Sequence, residues 1–210
     1  MKRRRLAMGI ITLIFLISCA TPQHLLVEDY KNRNLRSIAV LPVQNETPHL
    51  QAPEIFRPIV YQKIREKGYE SPAFSFIDSK LAEKGIRDAG QIHSLTPQDL
   101  GKLLGVDALL YTTVTEFSTT YLIAYASITV GAKYELRDAR TGEILWHADH
   151  RVKDMKGGTE QSLKFALQKS YTPYAQKVTE TCVATLPNGP LASAPAQKGC
   201  LTPGGRSGGR

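Results

Sequence analysis

Cysteine is scarce in this chain: Cys19, Cys182 and Cys200 are the three in 210 residues. None has a partner at C-x-x-C spacing, so the usual paired ligands of a zinc site are missing. There is no G-x-S-x-G elbow, no Walker loop, no H-E-x-x-H and no glycine-rich dinucleotide turn. The sequence therefore nominates no enzyme class, and it calls for no cofactor and no resident metal. Long apolar runs are missing after residue 17, which excludes a polytopic membrane protein. A dense Lys/Arg block is missing too, although the formal net charge is +8. Four of the 27 basic residues are Lys2, Arg3, Arg4 and Arg5. Without residues 1–18, 23 basic side chains stand against 19 acidic ones, and they are scattered. Nucleic-acid binding calls for a concentrated basic stripe, so nucleic acid is not an expected partner.

What is present starts at the N-terminus. Residues 2–5 are basic, and Leu6 to Ile17 form an apolar run interrupted by Gly9 and Thr12. The run is shorter than the roughly 20 residues of a membrane-spanning helix. Its charged front and its length fit a secretory signal peptide, expected over residues 1–18. The run ends in "FLISCATPQ". There, Leu16, Ile17, Ser18 and Cys19 resemble the lipobox of bacterial lipoproteins. The resemblance implies a diacylglycerol thioether on the Cys19 thiol, cleavage before Cys19, and acylation of the freed amine. One acyl chain anchors only marginally, at about 0.8 kcal/mol per buried CH2, whereas two or three hold firmly. Membrane lipid is thus the expected partner of Cys19. Ala20 stands where an aspartate would signal inner-membrane retention in enterobacterial sorting, so the outer membrane, facing the periplasm, is the expected site.

The periplasm is oxidising. A disulfide between Cys182 and Cys200 is expected, contributing roughly 3 kcal/mol by loop entropy. Two free thiols or an intermolecular link are the alternatives.

Along the mature chain, residues 19–36 read as the lipidated N-terminus and a tether. The short β-branched run "SIAVLPV" at residues 37–43 predicts a buried strand. Ile55, Phe56, Ile59, Val60 and Ile64 fall at helical spacing, predicting a helix over 53–67 that Pro58 kinks or starts. "AFSFID" reads as a strand within 69–78, and 79–89 as a short helix. Thr96 and Asp99 have the look of a helix cap, with Gly105 ending that helix. Residues 106–121 read as a long strand rich in Thr, Val and Tyr. Over 127–137, Ile128, Val130, Ala132, Tyr134 and Leu136 alternate with polar residues. A turn at 138–142 then leads to a return strand over 143–152, with Ile144, Trp146, Ala148 and Val152 inward. A helix over 159–181, kinked at Pro173, is expected to turn Leu163, Ala166, Leu167, Ser170, Tyr171, Tyr174 and Val178 inward. The fold class is α+β: a two-layer mixed β-sheet with helices packed on one face, spanning 37–186. Residues 187–210 read as a Pro/Gly-rich, mostly disordered tail.

One candidate metal seed exists, "HADH" at 147–150. His147 and Asp149 share the solvent face of a strand and His150 points the other way, so further ligands would have to come from elsewhere. Asp107 reads as a turn residue rather than a catalyst.

"SIAVLPVQNET" (37–47), "LGVDALLYTTVTEF" (104–117) and "ELRDARTGEILWHAD" (135–149) resemble, in order and spacing, the CsgG, TolB N-terminal and LpoB group of periplasmic domains. With the lipobox and "LPNGPL" (186–191), the chain most resembles a family of outer-membrane lipoproteins first noted as a neisserial vaccine candidate. The resemblance covers roughly residues 36–191; the tail after Leu191 departs from it. It implies a TolB-N-terminal-like fold, homodimerisation and a CsgG-like lipoprotein partner in a secretion or transport assembly, and it brings no catalytic residues. The expected role is a non-catalytic accessory subunit of that assembly. The alternatives are an LpoB-like regulator of a peptidoglycan synthase and, third, a periplasmic enzyme. Residues 20–36, fully extended, span about 55 to 60 Å, which counts against the long reach the LpoB-like role requires.

Overall fold

The apolar run at 37–43 forms a strand buried on both faces. The computed structural model describes residues 22–122, 124–167 and 170–192. In it, β2 (Ile38–Val40) lies parallel to β4 (Ala108–Leu122), with Ile38 opposite Ala108 and Val40 opposite Leu110. Parallel strands are usually covered on both faces, hence the unbroken apolar composition. β3 (Gln44–Asn45) continues along β4 opposite Thr113 and Val114. The remaining strands are antiparallel: β5 (Tyr125–Asp138), β6 (Ile144–Gly157) and β1 (Gln23–Leu26). The sheet order is β1-β6-β5-β4-β2, with β3 also on β4. This is the mixed sheet of the expected α+β class.

One sheet face holds the main core. Ile38, Val40, Leu110, Val130, Tyr134 and Trp146 are buried there beneath α1 (Ala52–Glu66) and α5 (Thr172–Ala184). Each such side chain contributes roughly 1.5–3 kcal/mol by leaving water. Two polar handles fix α5 on the sheet. Trp146 Nε1 donates to Thr185 Oγ1 at 3.0 Å, and the Tyr134 and Thr179 hydroxyls lie 2.8 Å apart. Contrary to the expectation of helices on one face, the other face carries a smaller core at its parallel end. There Ala39, Leu41 and Leu109 meet Ile77 and Leu81 of α2 (Phe74–Glu83) and Leu100 and Leu104 of α3 (Pro97–Leu104). Thr96 Oγ1 accepts from Asp99 N at 3.1 Å, and Gly105 ends α3 at φ 65°, as expected of that cap.

Several local expectations are corrected. "AFSFID" lies in α2, not in a strand: Ile77 and Leu81 sit one helical turn apart and are both buried, and that spacing outweighs the β-favouring phenylalanines. α1 begins at Ala52, so Pro58 stands inside the helix and does not start it. The single kinked helix is two, α4 (Thr159–Leu167) and α5, with Pro173 in the first turn of the second, where its missing N–H costs nothing. Leu163 and Ser170 face outward, while Ser162 and Phe165 face the sheet. A register shift between Leu136 and Arg137 buries Leu145 and turns Ile144 out.

Structure also extends past both expected boundaries. β1 lies within the stretch read as a tether, and Tyr30, in a 3-10 turn at Tyr30–Arg33, and Leu35 are buried in the main core. At the other end, Gly189 N donates to Lys67 O at 2.7 Å and Leu191 N to Gly68 O at 3.0 Å, so the start of the expected tail is docked.

Candidate functional site

The lipobox residues Leu16, Ile17, Ser18 and Cys19 lie outside the described residues, as does Cys200. The strand that follows bears on the anchor. Only Ala20, Thr21 and Pro22 separate Cys19 from Gln23, the first residue of β1. Four residue steps span at most about 14 Å. β1 is held by β6, with Gln23 opposite Asp149 and Leu26 opposite Trp146. Among the described residues, β6 beyond Asp149 has no outer neighbour. That free edge carries Arg151, Lys153 and Lys156, charges that discourage uncontrolled strand pairing.

The open sheet face carries a polar row. Tyr111, Glu135 and His147 stand side by side across β4, β5 and β6. Arg137 Nε donates to Glu135, and its guanidinium lies 5.7 Å from the Tyr111 ring centroid. His93, from a 3-10 turn at Ala89–Ser94, stacks on Tyr111 at 5.5 Å and 16°. Together with Gln44 and Lys133 these residues line a cavity of about 250 Å³. Burial pushes the Tyr111 hydroxyl up to about 12, with Glu135 adding to the rise and Arg137 opposing it, so the phenol is neutral near pH 7. The cavity offers hydrogen bonds, an aromatic face and both charges, but none of its lining residues is a serine or cysteine nucleophile. It suits recognition of a polar or planar group. Glu135 and Arg137 were readable from the polar register of their strand; His93 was not, because nothing local marks a turn that folds back over the sheet.

The HADH stretch divides as its alternation predicts. His147 Nε2 and Asp149 Oδ1 are 3.8 Å apart on the open face. His150 lies on the helix side, where burial and then Lys177 lower its pKa against the opposing effect of Asp149. Among the described residues no three His, Cys, Asp or Glu side chains are grouped to hold a metal.

Two acids of the family-like stretches are structural. Asp107 Oδ2 accepts from Arg36 N at 2.9 Å and from Ser37 N and Oγ at 3.0 Å, pinning the start of β2 to the start of β4. Burial raises the pKa of this carboxyl, but those hydrogen bonds and the Arg140 charge outweigh it and hold it below its ordinary value. Asp138 is buried; its Oδ1 caps the β5–β6 turn through Arg140 N at 2.7 Å and Thr141 N at 3.2 Å, and Gly142 takes φ 79° there. Cys182 is fully buried on α5, and burial, aided by Asp149, pushes its thiol up to about 12. A bridge to Cys200 would have to enter between α5 and the sheet.

Comparison with known proteins agrees with this architecture. The profile of the family described as "Putative lipoprotein GNA1162-like" matches residues 27–175. A Neisseria meningitidis serogroup B protein named "Putative lipoprotein NMB1124/NMB1162" is 30% identical over 138 residues, covering 66% of this chain. This chain spans 64% of that relative's length. The crystal structure of lipoprotein GNA1162 from Neisseria meningitidis matches with a TM-score of 0.55 at 28% identity, over 68% of this chain and 99% of that one. A PelC dodecamer from Paraburkholderia phytofirmans gives a TM-score of 0.48 at 15% identity, over 78% of this chain and 95% of that one.

Proposed function

The chain belongs to the GNA1162-like lipoprotein family, and we propose that it is a lipid-anchored, non-catalytic accessory subunit of a cell-envelope assembly. In this reading the signal peptide of residues 1–18 is removed, Cys19 carries the acyl chains, and the domain sits on the periplasmic side of the outer membrane. The observation that carries it is the nearness of the anchor to the fold. Between Cys19 and Gln23 there is room for at most about 14 Å of chain. A domain held that close works at the membrane surface, beside other envelope proteins.

Two surfaces suit partner binding. The outer edge of β6 from His150 to Gly157, unpaired among the described residues, carries Arg151, Lys153 and Lys156 and suits an acidic partner surface rather than open strand addition. The Tyr111–Glu135–His147 row with its cavity offers a polar recognition patch. The proposed partners are a second copy of this chain and a CsgG-like lipoprotein of a secretion or transport assembly. The short anchor segment counts against the LpoB-like alternative, because reaching a peptidoglycan synthase from the outer membrane demands a long tether. Cross-linking in intact cells, followed by mass spectrometry of captured neighbours, tests the proposal. A CsgG-like protein among them is the expected result; a penicillin-binding protein instead would overturn it.

A further inference from the structure

The β4–β5 hairpin ends in an apolar tip. Leu122 is 61% exposed and Met155 54%. Leu122 pairs with Tyr125, whose hydroxyl points to Met155 Sδ at 3.6 Å, so these three share the open sheet face. Tyr121 on the other face and Leu163 of α4 are exposed at the same end. Lys153 and Lys156 lie on the adjoining part of β6, Lys156 3.5 Å from Asp154. Apolar side chains, tyrosines and long-stemmed lysines gathered at one end of the sheet match the composition of a membrane interface, where rings sit at headgroup level and ammonium groups reach back to water.

The direction of β1 decides what covers the tip. β1 is antiparallel to β6 and begins opposite Asp149, so the chain enters the sheet from the end bearing Gly157. Four residue steps, at most about 14 Å of chain, separate Cys19 from Gln23 at this entry point. The tip is the end that the anchor draws toward the lipid. Asp149 to Met155 is six residues of strand, about 20 Å, and the anchor segment covers up to about 14 Å of it. The opposite end, at Ile144, lies eleven residues from Met155, about 36 Å along the strand.

We propose that the tip formed by Tyr121, Leu122, Tyr125, Met155 and Leu163 is a second membrane contact, inserted among lipid headgroups beside the acylated Cys19. It rests on the reading that Cys19 is acylated. The contact fixes the tilt of the domain, with the Gly157 end of β6 near the bilayer and the β5–β6 turn away from it.

The test uses the full lipidated chain, purified from palmitate-labelled cells and reconstituted in vesicles of phosphatidylethanolamine and phosphatidylglycerol with doxyl-labelled phosphatidylcholine. Leu122→Trp and, as a second probe, Met155→Trp report the tip; Ile144→Trp reports the far end; buried Trp146 gives the common background. The expected result is a blue shift and loss of most of the added emission for both tip probes, with the Ile144 probe unquenched. Labelled protein whose tip probes stay unquenched would overturn the proposal and leave the anchor standing. Protein without label would remove the anchor reading and the proposal with it. A blue shift that grows with protein concentration without vesicles would assign the tip to a second copy, and that too would overturn it.

Discussion

Gly68 and Gly189 touch backbone to backbone. A Cβ built on Gly189 would stand 2.4 Å from the Gly68 carbonyl oxygen, and one on Gly68 would stand 2.0 Å from Ala192 N. Gly68 also sits at φ 85°. The segment after α5 is thereby laid across the C-terminal turn of α1, where Lys67 Nζ donates to Leu186 O at 2.8 Å and Tyr69 Oη to Pro187 O at 2.9 Å.

Gly189→Ala is therefore expected to lower stability by about 1–3 kcal/mol, the usual cost of overpacking a tight contact. Chemical denaturation of wild type and variant measures it. With the thiols kept reduced, truncation after Ala192 should leave the midpoint unchanged, whereas truncation after Thr185 should lower it, since only the second removes the docked segment.

Asp107 makes a pH prediction. Its folded pKa lies below the unfolded one. The stability it adds is then fully present above the unfolded value, near 3.9, and is lost as pH falls through the folded value. Asp107→Asn should cost about 1.5–3 kcal/mol at pH 7, the range for hydrogen bonds to a charged group. It should also flatten the acid limb of the stability profile below about pH 4. Urea titrations of both proteins between neutral and acidic pH decide this; parallel acid limbs would contradict it.

Cys182 makes a reactivity prediction. Burial and a thiol pushed up to about 12 leave almost no thiolate at pH 8. In the reduced protein, iodoacetamide should modify Cys182 far more slowly than in the same protein unfolded in guanidinium, as read by peptide mass spectrometry. Equal rates would mean that α5 does not cover the thiol.

Trp146 makes a packing prediction. Thr185→Val removes the acceptor of the indole N–H while preserving shape. A loss of about 1–3 kcal/mol is expected because a buried donor is left unpaired. No loss would show that the indole N–H does not depend on Thr185.

Much of the sheet was legible in the sequence because β5 alternates cleanly, with Ile128, Val130, Ala132, Tyr134 and Leu136 on one face and Thr129, Gly131, Lys133, Glu135 and Arg137 on the other. Two tight turns could be read from Gly105 and Gly142, where positive φ is needed. What was not legible depended on distant partners. β1 has only four residues, all exposed, and no apolar pattern; it is a strand because β6 offers an edge. Phe74 and Phe76 favour a strand locally, yet burial of Ile77 and Leu81 under the second sheet face makes the segment helical. "LPNGPL" has a loop's composition, and its docking appears only once Gly68 and Gly189 are brought together. The His93–Tyr111 stack likewise joins residues far apart in the chain, so no local pattern announces the cavity.

Acyl chains on Cys19 are expected to hold this domain against a membrane. Mass spectrometry of the N-terminal peptide of protein extracted from envelopes tests it most directly. The expected peptide begins at Cys19, with diacylglycerol on its sulfur and an acyl group on its amine. A mature chain beginning elsewhere, or a Cys19 of unmodified mass, would contradict it.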